Sequence, residues 1–271
     1  MPLIIIECIF CEGMISVVRA NKHLPYKPIA YTDEHEVAYY CPVSLEGDSP
    51  VAQSPSGADW KPEILKNGRL TIFVAGNPGA GKSYLSKELI QSLPSDYDIL
   101  LFTALEEEDG NFRELDKRLY KIRMEPENLM RMTLSNIRSV SKNPILLFDD
   151  IDKIGDKAVS DATFHLLEDA LANGRGHETH DGKGDIHVIV TSHALNDYRK
   201  TKYTLENSDY VALFPQSTTY AQMARMFDKL GLSKEMCADI MARGKRGDFR
   251  SIIIHKVAPM YMIYGDTITL I

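Results

Sequence analysis

Eight consecutive residues carry the clearest chemistry in this chain: Gly76-Asn77-Pro78-Gly79-Ala80-Gly81-Lys82-Ser83. They meet every fixed position of Gly-x-x-x-x-Gly-Lys-[Ser/Thr], the Walker A phosphate loop. Glycines let the backbone turn tightly and bring its N–H groups onto phosphate oxygens. A helix beginning near Lys82 points the positive end of its dipole at the same anion. The Lys82 ammonium is then expected to reach the β and γ phosphates of ATP, and the Ser83 hydroxyl to ligate Mg²⁺. The expected ATP contacts are Gly76, Asn77, Pro78, Gly79, Ala80, Gly81, Lys82, Ser83 and the following Tyr84.

Such a site also needs a carboxylate for Mg²⁺ and a group that orients the attacking water. The run Ile145-Leu146-Leu147-Phe148-Asp149-Asp150 ends in two acids where a buried strand would emerge. Ligands bind at that edge in open α/β sheets. Asp149 is the expected Mg²⁺ residue and Asp150 the residue that activates water, with Asp152 in reserve. Another apolar run closes on Thr191-Ser192-His193. In additional-strand P-loop enzymes a polar residue at such a strand end senses the γ-phosphate, a role open here to Ser192 or His193. Arg175, flanked by Gly174 and Gly176, reads either as a finger for a neighbouring subunit's phosphate or as a solvated loop arginine.

Strands must deliver these groups to one edge. The runs 70–76, 98–104, 119–124, 144–150, 186–192 and 209–215 are strongly apolar, as strands covered on both faces are. Helical patterns lie between several of them. Residues 82–93 place Leu85, Leu89 and Leu93 on one helical face. This is the α/β signature of a mainly parallel sheet with helices on both faces. Residues 218–230 and 233–242 read as helices, and 251–256 with 260–265 as a hairpin. Residues 1–62 are expected to form a β-rich N-terminal extension with three short strand patterns (4–10, 14–20 and 36–43), either a small β appendage or extra strands on the main sheet. It ends in a Pro/Ser-rich linker or long surface loop, Ser49–Pro62, and the ATPase domain is expected at 63–271.

The chain has 271 residues, 44% hydrophobic and 25% charged, enough for a substantial core. Its formal charge of −7 leaves no global basic footprint, so any nucleic-acid contact must be a local patch. Lys117–Arg123 and Arg243–Arg246, with Arg250 and Lys256, are the candidates, against the plainer reading of solvated faces. Cys8 and Cys11 form a CxxC that lacks a second close pair; with His23, His35 and Cys41 a zinc site would need irregular spacing. Reduced thiols are the alternative reading. With no secretory leader pattern and no long apolar run, a soluble intracellular protein is expected.

Taken together, residues 70–271 resemble the genome-packaging ATPases of DNA viruses with internal membranes or large capsids. These are the poxvirus-type packaging ATPases of the FtsK–HerA superfamily. The resemblance rests on GNPGAGKS (76–83), ILLFDDID (145–152), NGRGH (173–177), VIVTSHAL (188–195) with DYVALFP (209–215), and FRSIIIHKVAPMYMIY (249–264). It implies a Mg²⁺-dependent ATPase that assembles as a ring, expected to be a hexamer. Such a ring pumps double-stranded DNA into a preformed capsid, in the virion or the interior of the infected cell. Outside the resemblance, the N-terminal residues, set apart by the linker, are expected to dock it on capsid or membrane vertex proteins. The chain departs from the pattern at Gly176, at the polar insert 178–185 and at Thr201-Lys202, where relatives often show Thr-Arg. Many relatives also carry Glu where Asp150 stands. An AAA+ helicase loader or protein remodeller is the main rival, since 218–242 followed by Gly247-Asp248-Phe249-Arg250 suits a helical lid with a sensor arginine. A lid continues as helix after Arg250, whereas Ser251-Ile252-Ile253-Ile254 predicts a strand. An ATP-binding assembly switch and a small-molecule kinase are more distant alternatives.

Overall fold

The structure is a computed structural model that describes residues 15–19, 27–40, 51–63, 68–104, 110–176, 184–193 and 198–271. The first expected strand (4–10), Cys8, Cys11, His23, Cys41 and His177 lie outside the described residues.

Strands β1 (Ile15–Arg19), β2 (Lys27–Tyr31), β3 (Glu36–Tyr40), β4 (Val51–Gln53) and β5 (Lys61–Pro62) precede the phosphate loop. Then come β6 (Thr71–Ala75), α1 (Lys82–Ser92), β7 (Asp98–Thr103), a 3-10 segment (Gly110–Arg118) and β8 (Leu119–Lys121). Helices α2 (Pro126–Arg131) and α3 (Leu134–Val140) lead to β9 (Pro144–Asp149), α4 (Lys157–Asn173), β10 (His187–Ser192), α5 (Tyr198–Asn207) and β11 (Tyr210–Leu213). Helices α6 (Tyr220–Lys229) and α7 (Lys234–Arg246) and strands β12 (Ile252–His255), β13 (Tyr261–Tyr264) and β14 (Thr267–Leu270) complete the described chain.

Ten strands form one sheet in the order β4-β14-β13-β12-β11-β6-β10-β9-β7-β8. From β11 to β8 all neighbours are parallel, and β12, β13, β14 and β4 add on antiparallel. The expected mainly parallel α/β sheet is therefore present. The central strands β6, β9 and β10 are buried along their whole length, which is why they read as unbroken apolar runs. Alternation along β6 sends Phe73 and Ala75 to one face, with Leu166, Leu167, Met223 and Phe227. Ile72 and Val74 go to the other, with Leu85, Leu89 and Ile90 of α1. Each face thus buries its own layer of helices, and β6 delivers the phosphate loop from the middle of the sheet. No helix among the described residues is long and apolar enough to cross a membrane.

Two expectations about the ends of the chain change. The C-terminal hairpin is present as β12 and β13, but a third antiparallel strand, β14, follows through the Asp266 turn. The segment 51–62, expected to be a linker, is instead a docked strap. Its β4 pairs with β14, the Ser54 N–H donates to Asp266 O at 2.7 Å, and the Trp60 N–H donates to Gly265 O at 3.0 Å. Trp60, 3% exposed, belongs to the same apolar cluster as Leu85 and Leu89. Pro and Ser discourage helix here, yet a buried tryptophan and the edge of β14 help to hold the segment. Strands β1, β3, β2 and β5 form a separate small sheet. Its buried Glu36 carboxylate accepts hydrogen bonds from the Ser54 hydroxyl (2.6 Å), the Ser56 N–H (3.0 Å) and the Ser56 hydroxyl (3.0 Å) of the strap.

A docked strap makes a direct prediction. Truncating Trp60 to Ala should cost about 3–5 kcal/mol, as for other buried aromatics. In thermal denaturation that corresponds to a fall of roughly 10 °C in Tm. An unchanged Tm would restore the linker reading.

Candidate active site

The loop that leaves β6 is shaped by its glycines. A Cβ at Gly76 would stand 2.8 Å from Phe214 Cδ2, and its N–H donates to the carbonyl of Ser192 at 3.1 Å. Gly79 and Gly81 adopt φ of 75° and 104°, in the left-handed region that side chains disfavour. Gly81 caps α1, so the helix begins at Lys82 as the motif predicts, with its unpaired N–H groups facing the loop. The Asn77 side-chain amide donates to the Ser217 carbonyl and ties the loop to the segment after β11. Pro78 and Gly79 are exposed at the loop tip, Ala80 is buried, and Ser83 is half-buried.

Arg250 closes the other side. Its Nε donates to the Ala80 carbonyl at 3.4 Å, and its guanidinium lies over the exposed Tyr84 ring at 4.9 Å. A Cβ at Gly81 would meet that guanidinium at 2.3 Å. Gly81 is therefore fixed by its backbone angle, whereas the flexible end of Arg250 could swing aside.

Opposite the loop stand the two acids. Asp149, 3% exposed, ends β9, and Asp150 follows with φ of 49°. Neighbouring β10 holds both. The Thr191 hydroxyl donates to Asp149 Oδ1 at 2.7 Å and accepts from the Asp150 N–H at 2.9 Å. Its oxygen is also 3.3 Å from Asp150 Oδ1, but its single proton is committed to the shorter contact. His193 Nε2 lies 2.6 Å from Asp150 Oδ2, and His193 Nδ1 lies 3.0 Å from Lys82 Nζ. Lys82 Nζ is itself 3.9 Å from Asp150 Oδ1, and Lys153 Nζ is 3.7 Å from Asp150 Oδ2. Burial pulls the Lys82 ammonium below its ordinary pKa, and the carboxylates of Asp150 and Asp149 counter the shift.

The structure thus brings Lys82, Asp149, Asp150 and His193 into one polar cluster beside Gly76–Ser83. Ser192 is buried, and its carbonyl holds Gly76. Asp152 sits on the 3-10 turn Ile151–Lys153, its Oδ1 buried without a hydrogen-bond partner. Arg175 is not in this cluster. The Gly174 carbonyl pairs with the Ile186 N–H, and Arg69 spans from Ile186 to the carbonyls of Ala170 and Leu171. Exposed Arg175 therefore lies beside the start of β6, at the sheet edge away from its own phosphate loop.

Two residues outside the expected ATP and catalytic set belong to the site. Thr191 is the one polar residue in the buried run 188–191, a signal visible in the sequence. Arg250 ends the segment Gly247–Arg250, which suggests a sensor arginine only within the lid reading. Several members of the basic clusters hold partners within the chain. Arg118 caps α1 through Pro94 O (3.0 Å) and Ile90 O (3.3 Å), and Lys245 donates to Gln216 O (2.7 Å). Arg243 lies over Tyr264, Arg246 pairs with Asp248, and Lys256 caps α5 at Leu205 and Glu206.

The role of Thr191 is testable. Thr191→Val keeps the shape of the side chain but leaves the Asp150 N–H and the Asp149 carboxylate each one partner short. Losing about 1–3 kcal/mol from such a buried network should lower ATP turnover roughly 10- to 100-fold. Thr191→Ser should restore most of it. Wild-type kcat in Thr191→Val would show that the hydroxyl holds nothing of consequence.

Comparison with known proteins bears on the fold and the family. Over 203 residues the chain is 27% identical to uncharacterized protein V3 of the Sputnik virophage, covering 73% of this chain and 76% of the relative. Among solved structures, the pCW3 conjugation coupling protein TcpA, in a monomer form with ATPγS, aligns at a TM-score of 0.45 and 12% identity. That alignment covers 95% of this chain and 84% of TcpA. The cytoplasmic domain of the type VII secretion ATPase EccC of Thermomonospora curvata aligns at 0.42 and 11% identity, over 90% of this chain and 29% of EccC. Residues 72–207 match the model of the ATPase family associated with various cellular activities (AAA). That span holds the phosphate loop, both acids and the end of β10. The chain belongs to the AAA family and is a P-loop ATPase with an α/β fold.

Proposed function

We propose that this ATPase is a DNA-translocating motor that packages a viral double-stranded DNA genome into a preformed capsid, working as a ring of its own copies. The observation that carries the reading is β12. Directly after Arg250 the chain forms a strand that pairs with β11, and β13 and β14 follow in the same sheet. A helical lid would continue as helix there. The matched AAA span ends at residue 207, before this region. The virophage relative adds a viral context.

In this reading ATP lies along Gly76–Ser83 with Tyr84 beside it, its phosphates on the loop N–H groups and the Lys82 ammonium. Ser83 and Asp149 suit Mg²⁺, a hard cation that takes one or two protein oxygens and completes its shell with phosphates and water. Bound there, Mg²⁺ would neutralise charge on the phosphates. Asp150 orients a water and takes its proton as the water oxygen attacks the γ-phosphorus. The bond to the β–γ bridging oxygen breaks, and ADP and phosphate leave. Lys82 stabilises the charge that develops on the transferred group. Arg175, on the far edge of its own sheet, serves only the site of a neighbouring copy. Residues 1–62 form the extension that docks the ring on capsid or membrane vertex proteins, and 63–271 the motor.

One observation favours a remodeller or helicase loader instead: Arg250 rests on the phosphate loop, as a lid arginine would. ATP hydrolysis measured with and without long double-stranded DNA separates the two. We expect turnover to rise with DNA and to be lost in Lys82→Ala, since the ammonium supplies charge stabilisation worth about 10²–10³ in rate. Turnover indifferent to DNA would favour the remodeller.

A further inference from the structure

The contacts of His193 are directional. The Lys82 ammonium has only donors, so His193 Nδ1, 3.0 Å away, must accept. The imidazole proton then resides on Nε2, which lies 2.6 Å from Asp150 Oδ2 and donates to it. The chain Lys82 → His193 → Asp150 therefore has one sense. It engages Oδ2 of Asp150, so Oδ1, whose neighbours are the Lys82 ammonium at 3.9 Å and the Thr191 hydroxyl oxygen at 3.3 Å, keeps acceptor capacity for a water. The Asp150 N–H is pinned by Thr191, so the carboxylate is held at both its backbone and one oxygen.

We infer that His193 is a positioning residue for Asp150: its Nε2–H fixes the carboxylate rotamer that presents Oδ1 to the attacking water, and Lys82 sets the tautomer that makes this possible. This differs from a γ-phosphate sensor, which would act on the nucleotide directly. The inference rests on the ATPase reading of the same site.

Steady-state ATPase kinetics on the full chain test it with two variants. His193→Ala removes the donor to Asp150, and His193→Gln offers a carboxamide whose N–H can donate to Oδ2 while its oxygen accepts from Lys82. We expect His193→Ala to lower kcat about 100-fold, the scale of a misplaced catalytic group, with KM for ATP within about twofold of wild type. His193→Gln should recover kcat to within roughly fivefold of wild type. If His193→Ala does not fold, His193→Asn, too short to span both partners, takes its place. A raised KM with unchanged kcat would mean that His193 contacts phosphate and would overturn the inference. So would a His193→Gln variant as impaired as His193→Ala. A wild-type chain without turnover would instead overturn the ATPase reading itself.

Discussion

Two adjacent carboxylates and an ammonium are held at the end of a fully buried strand, and the rest of the architecture answers to that constraint. Removing such charges from water is expensive unless each finds a partner. Strand β10 provides two of them. The Thr191 hydroxyl serves Asp149 and the Asp150 N–H, and His193 joins the Asp150 carboxylate to Lys82. One strand end thus links the phosphate loop to both acids. The same cluster sets an ammonium, two carboxylates and an imidazole beside the phosphate loop.

Sheet order makes this possible. Strand β10 lies between β6 and β9, all three parallel, so their C-terminal ends emerge side by side. The loop after β6, the acids after β9 and the Thr-Ser-His after β10 are consequently neighbours, although more than a hundred residues separate Lys82 from His193. Antiparallel additions on the other flank bring Arg250 down onto Tyr84 and give the strap at 51–62 an edge to join. The strap covers α1 through Trp60, so the N-terminal region rests on the helix whose first turn holds Lys82 and Ser83.

Local patterns in the sequence were enough to reveal the phosphate loop, because its chemistry depends on consecutive residues. The apolar strands were legible because burial on both faces leaves no polar alternation. The pairing of Asp150 with His193 was not legible. It depends on the register of β9 against β10, and the sequence left a γ-phosphate sensor open between Ser192 and His193. Arg250 on Tyr84 depends in the same way on how β12 enters the sheet. The strap shows a different limit. Its Pro and Ser content describes local preference, whereas Trp60 and the β14 edge decide where it lies. Arg175 carries no local sign that α4 returns it to the opposite edge. The basic clusters were legible as charge, but caps and aromatic stacking occupy several of their members.

The most direct test of this account is a structure of the chain with Mg²⁺ and a non-hydrolysable ATP analogue. The account predicts phosphates on the N–H groups of Gly79–Ser83, Lys82 Nζ on the β and γ phosphates, Mg²⁺ beside Ser83 and Asp149, and Asp150 still bound to His193. Nucleotide bound away from the loop, or an Asp150 that has left His193 to point at the phosphate alone, would contradict it.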